Sequence, residues 1–199
     1  MKTTNLKTTL ALLSAMLTGL YGCTQPPPVA DETTSLHALP FNVVATGDSR
    51  ADTASARTFS WAAGIEPGNS DPRMADIPVN ALLEEAITDT LQQKGYHQSP
   101  AAGQGDLVVR YVVALNDAAA DRQLAEKYGM QADLNVSSPD PEKFEKGTLV
   151  IDITERHSGL SAWRSSLQGF AYLQMNEAER RQRIRAMVQR MLAGMPSRN

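Results

Sequence analysis

The chain has 199 residues, with 19 basic against 22 acidic side chains, a formal net charge of −3 and a single cysteine. This mildly acidic balance argues against nucleic acid as a partner, because nucleic-acid-binding domains present basic surface to the phosphates. The single cysteine excludes a disulfide within the chain.

The first 22 residues have the pattern of a bacterial secretory signal. Lys2 and Lys7 form a positively charged start, and an apolar segment follows over 9–20. That segment is shorter than the run of about 20 apolar residues that a membrane-spanning helix needs. A Leu-Tyr-Gly-Cys sequence ending at Cys23 resembles a lipobox, which implies cleavage before Cys23 and acylation of that cysteine by palmitate-like chains. The alternative is an ordinary signal peptide in which Cys23 has no role.

An acylated Cys23 would anchor the protein to a membrane. Two or more acyl chains hold a protein stably on a bilayer, whereas one binds only marginally. Thr24 stands where an Asp often signals inner-membrane retention, which predicts the periplasmic face of the outer membrane. Residues 23–40 include three consecutive prolines and little that could pack, so they are predicted to form a flexible tether. Residues 41–199 are then predicted to form a single domain.

The first predicted helix covers residues 77–94. Asp76 is placed to cap its start, Pro78 suits the first turn, and Gly95 is placed to end it. Apolar or small side chains recur at helical spacing and form the predicted buried stripe. These are Val79, Leu82, Leu83, Ala86, Ile87, Thr90 and Leu91.

Four segments have strand patterns. Residues 107–115 are apolar on both sides, which is typical of a central strand. Residues 148–172 alternate between apolar and polar around a turn near Gly159, which predicts a hairpin. The segments 43–46 and 57–61 are shorter candidates.

The connection over 116–146 is unusually long. Connections of this length in compact domains are usually functional or disordered. Residues 121–128 are predicted to form one or two helical turns, and 137–141 has the composition of a turn.

The last helix is predicted over 177–193. Asn176 and Glu179 form a capping-box-like start, and Gly194 and Pro196 end the helix. Five arginines are assigned to its outer face, where a solvated surface is expected and contact with anionic lipid is the alternative. They are Arg180, Arg181, Arg183, Arg185 and Arg190.

The order strand, strand, helix, three strands, helix predicts an α+β fold. We expect a two-layer sandwich in which a mainly antiparallel sheet carries two helices packed on one face. Trp61 and Trp163 lie beside apolar residues on predicted strands, which favours core packing over ligand stacking.

Several short motifs follow one another between residues 57 and 196. They are Arg57-Thr58-Phe59-Ser60-Trp61, Lys94-Gly95-Tyr96, Asp106-Leu107-Val108-Val109-Arg110-Tyr111, Gly147-Thr148-Leu149-Val150-Ile151-Asp152, Ser158-Gly159, Ala162-Trp163-Arg164 and Met195-Pro196. In this order they resemble domain-of-unknown-function family 4136, a group of Gram-negative envelope lipoproteins. One departure is Asp52-Thr53-Ala54, where the family has an acidic-aromatic step. The resemblance implies an envelope lipoprotein and no activity, since the family's function is unassigned.

Motifs for catalysis and metal binding are weak. Gly47-Asp48-Ser49 resembles the nucleophile block of Gly-Asp-Ser hydrolases, but no Asp stands three residues before a His to complete the site. His37, His97 and His157 lack the close spacing of metal ligands. We therefore predict no catalytic residue, no metal and no cofactor.

The sheet face turned away from the two helices is the predicted binding surface. Strand alternation places Asp152 there and, by the same logic, Arg110, Arg164 and Gln168. We expect this face to bind a protein or peptidoglycan of the envelope; a face that is simply wet is the alternative. No pattern predicts an oligomeric state. The sequence thus favours a non-enzymatic lipoprotein that binds or supports an envelope component, with an envelope hydrolase or a lipid or glycan carrier as the alternative.

Overall fold

The computed structural model describes residues 39–63, 77–115, 118–130 and 132–198. All of these belong to one compact unit of residues 32–199. The predicted signal segment, Cys23, His37, Asp76 and most of the predicted tether lie outside the described residues.

A six-stranded mixed sheet organises the described residues. The strands are β1 (Phe41–Thr46), β2 (Thr58–Trp61), β3 (His97–Gln98), β4 (Leu107–Leu115), β5 (Phe144–Glu155) and β6 (Ser161–Tyr172). Their order is β1-β6-β5-β4-β2-β3, which leaves the sheet open. The strands β1, β6, β5 and β4 pair antiparallel, and the predicted hairpin is confirmed as β5–β6.

The described residues form three helices beside the sheet: α1 (Val79–Gln93), α2 (Ala118–Tyr128) and α3 (Glu177–Met191). The helices α1 and α3 pack on one face, where the core includes Ile87, Ile151 and Val188. On the other face, Leu124 and Tyr128 of α2 pack against β4 and β5. The predicted α+β class is therefore confirmed. The one or two helical turns predicted over 121–128 belong to the longer helix α2, which covers the second face of the sheet and so corrects the predicted two-layer arrangement.

The sheet formed by the described residues is mainly antiparallel, as predicted, but two of its five strand pairs are parallel. Strand β2 runs parallel to both β3 and β4. The reason is the crossover through α1, which returns the chain to the end of the sheet from which β2 started. The sheet is consequently mixed, with its antiparallel pairs on one side and its parallel pairs on the other.

Gly95 after α1 and Asn176 before α3 stand where the sequence predicts helix ends. Gly95 has φ of +87° just after α1, a conformation that favours glycine. At the start of α3, the Glu179 N–H donates to the Asn176 side-chain oxygen over 3.0 Å. Pro78 precedes α1 and offers no side-chain cap, as its chemistry requires.

The two tryptophans lie at the border of the main core. The Trp61 ring meets the Tyr111 ring edge-on at 5.9 Å between centroids. The Trp163 indole N–H donates to the Met191 carbonyl over 3.0 Å, at the end of α3. Both side chains are partly buried against the core, as the sequence predicts.

Candidate ligand cavity

The predicted binding face of the sheet is largely covered. Asp152 and Gln168 are buried and Arg164 is partly buried, whereas Arg110 is exposed. The cover consists of α2 and the segment 132–134, in which Ala132 and Leu134 are buried. This corrects the expectation of an open face: strand alternation gives the correct side of the sheet, but the long connection folds over it.

Asp152 and Arg164 hold α2 against this face. The Arg164 Nε donates to an Asp152 carboxylate oxygen over 2.9 Å, and its Nη1 donates to the Tyr128 carbonyl over 3.0 Å. The guanidinium also lies 5.2 Å from the centre of the Tyr128 ring. A cation at the last carbonyls of a helix is favourable, because the negative end of the helix dipole lies there.

Gln168 holds the segment after α2 against the same face of the sheet. Its carbonyl oxygen accepts from the Leu134 N–H over 2.8 Å. Its amide nitrogen donates to Asp121 and Thr148 oxygens, both at 3.3 Å. A buried side-chain amide with these partners is well satisfied, so Gln168 contributes to the packing of the domain.

Part of the arginine-rich face of α3 is paired with acids. Arg185 lies 3.3 Å from a Glu85 oxygen and 3.0 Å from an Asp89 oxygen, both on α1. Arg181 lies 3.5 Å from Glu85 and 3.0 Å from Glu177. These arginines therefore link α3 to α1 and form no free basic patch.

The groups suspected of hydrolase chemistry have other partners. The Arg50 side chain hydrogen-bonds to Asp48 and lowers the pKa of that carboxyl to about 2. The His157 ring nitrogen lies 3.1 Å from the Arg156 guanidinium. Within the described ranges, no group of three or more His, Cys, Asp or Glu side chains is arranged to hold a metal ion.

A cavity of about 120 Å³ lies between one end of the sheet and the two helices of the main core. Its wall is formed by β4, β5 and β6 on one side and by α1 and α3 on the other. Apolar side chains dominate the wall, among them Leu83, Val113, Leu149, Leu167, Ile184 and Met187. Sequence analysis did not find this site.

A pair of glycines creates the space. Gly147 of β5 pairs directly with Gly169 of β6, between Leu115 of β4 and Phe41 of β1. Successive residues of a strand point to opposite faces, so Gly147 lies on the same face as Leu149, which is turned toward the helices. The two glycines therefore leave the middle of this row of four residues without side chains on that face. A Cβ at Gly147 would meet the Leu115 side chain at 3.3 Å, and one at Gly169 would meet Phe41 at 3.0 Å. Each glycine lies two residues from a buried leucine, Gly147 from Leu149 and Gly169 from Leu167. This spacing is the sequence signal that could have revealed the cavity.

Two arginines line one end of the cavity. Arg180 is half-buried, and its Nη2 donates to the Leu173 and Met175 carbonyls over 2.8 and 2.6 Å. Arg183 is buried, and its Nη2 donates to the Phe170 carbonyl over 3.0 Å. This corrects their assignment to the outer face of the helix.

Burial lowers the pKa of both guanidiniums, because a desolvated cation is less stable than a hydrated one. Arginine nevertheless keeps its charge in proteins. The positive end of the α3 dipole lies nearby, since Arg180 belongs to the first turns of α3. An apolar cavity with a positively charged end can hold an apolar group and attract an anion.

An open sheet with helices on both faces defines an α+β domain. Within that class, the chain belongs to the family described as Domain of unknown function (DUF4136), whose model matches residues 43–197. The predicted family resemblance is thereby confirmed. No curated protein matches the chain.

Solved structures with similarity to this chain include the PelC dodecamer from Paraburkholderia phytofirmans, at 11% identity and a TM-score of 0.48, covering 80% of this chain and 100% of that one. A DUF4136 family protein from Bacteroides thetaiotaomicron matches at 15% identity and a TM-score of 0.48. This match covers 77% of this chain and 94% of that one. A PDZ domain protein from Parabacteroides distasonis matches at 15% identity and 0.45, covering 81% of this chain and 36% of that one. Among the described residues, no helix has both the length and the apolar character that crossing a membrane requires.

Proposed function

We propose that this chain is a lipid-anchored, non-enzymatic protein of the bacterial envelope whose domain binds an apolar part of an envelope component. The anchoring part rests on the signal pattern that ends at Cys23. The binding part rests on one observation, the apolar cavity between the sheet and the helices α1 and α3.

The composition of the cavity wall favours binding over catalysis. The described residues that line it include no Asp, Glu, His, Cys, Ser or Lys. General acid–base and nucleophilic catalysis draw mainly on those side chains. Thr148 and Tyr172 are the hydroxyl-bearing residues of the wall. Two hydroxyl groups are too few for a glycan, because its many hydroxyl groups lose hydrogen bonds to water on binding and need new partners. Carriage of a lipid is the second candidate function, and the same apolar wall supports it.

The size of the cavity sets the size of the bound group. An engineered apolar cavity of about 150 Å³ stays dry and binds benzene. The cavity of about 120 Å³ is of similar size. The cavity is partly open to solvent, so it can enclose a ring or a short alkyl segment while the rest of a longer ligand extends outside.

The anchor places this domain near its ligand source. In the proposed arrangement, acylated Cys23 holds the protein on the periplasmic face of the outer membrane. The tether of residues 23–40 has a semi-extended reach on the order of 50 Å at about 3.1 Å per residue. Apolar envelope components within that distance are available to the cavity.

Metabolic labelling with palmitate tests the anchor. The wild type should incorporate label and sediment with outer membranes, whereas Cys23→Ala should do neither. Ser14→Ala, a change inside the apolar signal segment, is the matched control and should behave as the wild type. Equal labelling of the wild type and Cys23→Ala would contradict lipidation at this cysteine.

A further inference from the structure

We propose that the natural ligand of the cavity is a small amphiphilic carboxylate, a short or medium-chain fatty-acid anion, whose carboxylate binds at Arg180. This inference rests on the proposed binding function and adds the chemical class of the ligand.

The space accepts an alkyl chain. The row Leu115–Gly147–Gly169–Phe41 has no side chain at its two middle positions. Ala171 continues the small residues along β6 toward Leu173, whose carbonyl accepts from Arg180. An alkyl chain has no polar groups that this wall would leave unpaired. The cavity of about 120 Å³ is partly open to solvent, so it encloses part of such a chain and leaves the rest outside.

The guanidinium of Arg180 keeps donors for an anion. A guanidinium has five N–H donors in a planar fork that matches a carboxylate. Two of them, on Nη2, are directed to the Leu173 and Met175 carbonyls, which fixes the orientation of the group. In the described part of the chain, Nε and Nη1 of Arg180 donate to no other protein atom, so they are available to a ligand.

No described carboxylate lies within ion-pair distance of Arg180. Glu177 is the acid that acts on its charge, and the carboxylate of Glu177 is paired with Arg181 at 3.0 Å. A ligand carboxylate would therefore make charge-assisted hydrogen bonds in a partly desolvated place, where such bonds are strong.

Methionine-methyl NMR on the full mature protein in lipid nanodiscs tests this inference. Met175 and Met187 line the cavity, while Met191 and Met195 are buried in the core away from it. Octanoate and octanol are the probes, because they share an alkyl chain and differ in charge. We expect octanoate to shift the Met175 and Met187 signals with an affinity about tenfold or more above that of octanol.

Two variants with matched controls assign the effect. Arg180→Gln should remove the preference for octanoate and leave octanol binding unchanged, whereas Arg190→Gln, exposed on the same helix, should behave as the wild type. Ala171→Leu should abolish binding of both probes by filling the cavity, whereas Ala45→Leu, exposed on β1, should not. Unchanged Met191 and Met195 signals establish that each variant is folded.

The outcomes separate the two proposals. Equal affinity of the wild type for octanoate and octanol would overturn the carboxylate inference and leave apolar binding in place. Binding of neither probe, or binding that Ala171→Leu does not affect, would overturn both. If Arg180→Gln does not fold, the comparison of octanoate with octanol on the wild type still decides.

Discussion

At the scale of single residues, the ion pair between Asp152 and Arg164 is largely withdrawn from solvent. The Asp152 side chain is 8% exposed and that of Arg164 is 24% exposed, and their atoms approach to 2.9 Å. A pair of this kind can contribute little net stability, because both charges lose hydration. Removing one partner is a different matter, since it leaves the other charge without compensation.

Asp152→Ala should therefore lower the free energy of unfolding by about 2–4 kcal/mol, somewhat less than a fully buried pair because Arg164 keeps contact with water. Urea denaturation followed by circular dichroism measures this change. Asp140→Ala is the control, since Asp140 has a 39% exposed side chain and lies 3.8 Å from Lys143. That variant should lose less than about 1 kcal/mol. Equal losses in the two variants would contradict the structural role of Asp152.

We expect Asp106 to make the free energy of unfolding depend on pH. Its carboxylate accepts from the Arg57 and Thr58 backbone N–H groups, both at 2.9 Å, and these bonds lower its pKa below the ordinary 3.8. The pKa of Asp106 is lower in the folded state than in the unfolded state, so its contribution to the free energy of unfolding is complete above the unfolded-state pKa. That contribution is lost as the pH falls through the folded-state pKa. Asp106→Asn should be less stable at neutral pH, and it should lose less stability than the wild type as the pH falls below the ordinary aspartate value of 3.8.

Thermal unfolding across that pH range measures the effect. Asp140→Asn is the control, because Asp140 lies on an exposed turn. An acid-dependent loss in Asp106→Asn as steep as in the wild type would show that Asp106 does not carry it.

The positions of some of these residues follow from local sequence patterns, whereas those of others depend on distant parts of the chain. Strand alternation correctly put Asp152 and Gln168 on the face away from α1 and α3. It could not show what covers that face, because the cover comes from a distant segment. Only Leu124 and Tyr128, four residues apart, signalled the apolar side of α2. Arg183 was misassigned because it is a charged residue whose carbonyl partners come from other parts of the chain.

At the scale of elements, the junction of β2 and β4 depends on a glycine. A Cβ at Gly105 would lie 2.4 Å from the Phe59 carbonyl carbon and 2.5 Å from the Ser60 nitrogen. Both are backbone atoms in a paired strand and cannot move independently. The Gly105 N–H also donates to the Ser60 hydroxyl over 3.0 Å. The close approach of the two segments therefore requires the absence of a side chain.

Gly105→Ala should destabilise the protein by about 1–3 kcal/mol through overpacking. Gly147→Ala is a matched comparison, since its Cβ would meet its neighbours only at 3.3 and 3.4 Å, next to the cavity. That variant should be neutral or slightly more stable, because alanine reduces the entropy of the unfolded chain. Chemical denaturation of the two variants side by side is the measurement. A Gly105→Ala protein as stable as the Gly147→Ala protein would contradict the proposed close approach.

The elements themselves were predictable where local signals are strong. The helix predicted over 77–94 is Val79–Gln93, and the one predicted over 177–193 is Glu177–Met191. Stripes of apolar residues and helix ends are local properties, so the sequence carries them. The parallel pairing of β2 with β4 joins residues that are far apart in the chain, and no local pattern specifies it.

At the scale of the whole molecule, the sheet separates two kinds of interior. The side covered by α2 is held by polar contacts of Arg164 and Gln168. The side covered by α1 and α3 holds the apolar core and, at one end, the cavity. The proposed ligand site thus lies on the side of the sheet covered by α1 and α3, whereas the face predicted from the sequence is largely covered by α2 and the segment 132–134.

The central claim is that the cavity holds an apolar ligand while Cys23 holds the protein on its membrane. Native mass spectrometry of the protein released gently from its own membranes tests it most directly. The account predicts that the wild type and Ala45→Leu carry a small non-covalent ligand in addition to the acyl mass on Cys23, and that Ala171→Leu carries the acyl mass alone. A wild-type protein without a bound ligand, or a ligand that remains in Ala171→Leu, would contradict the account.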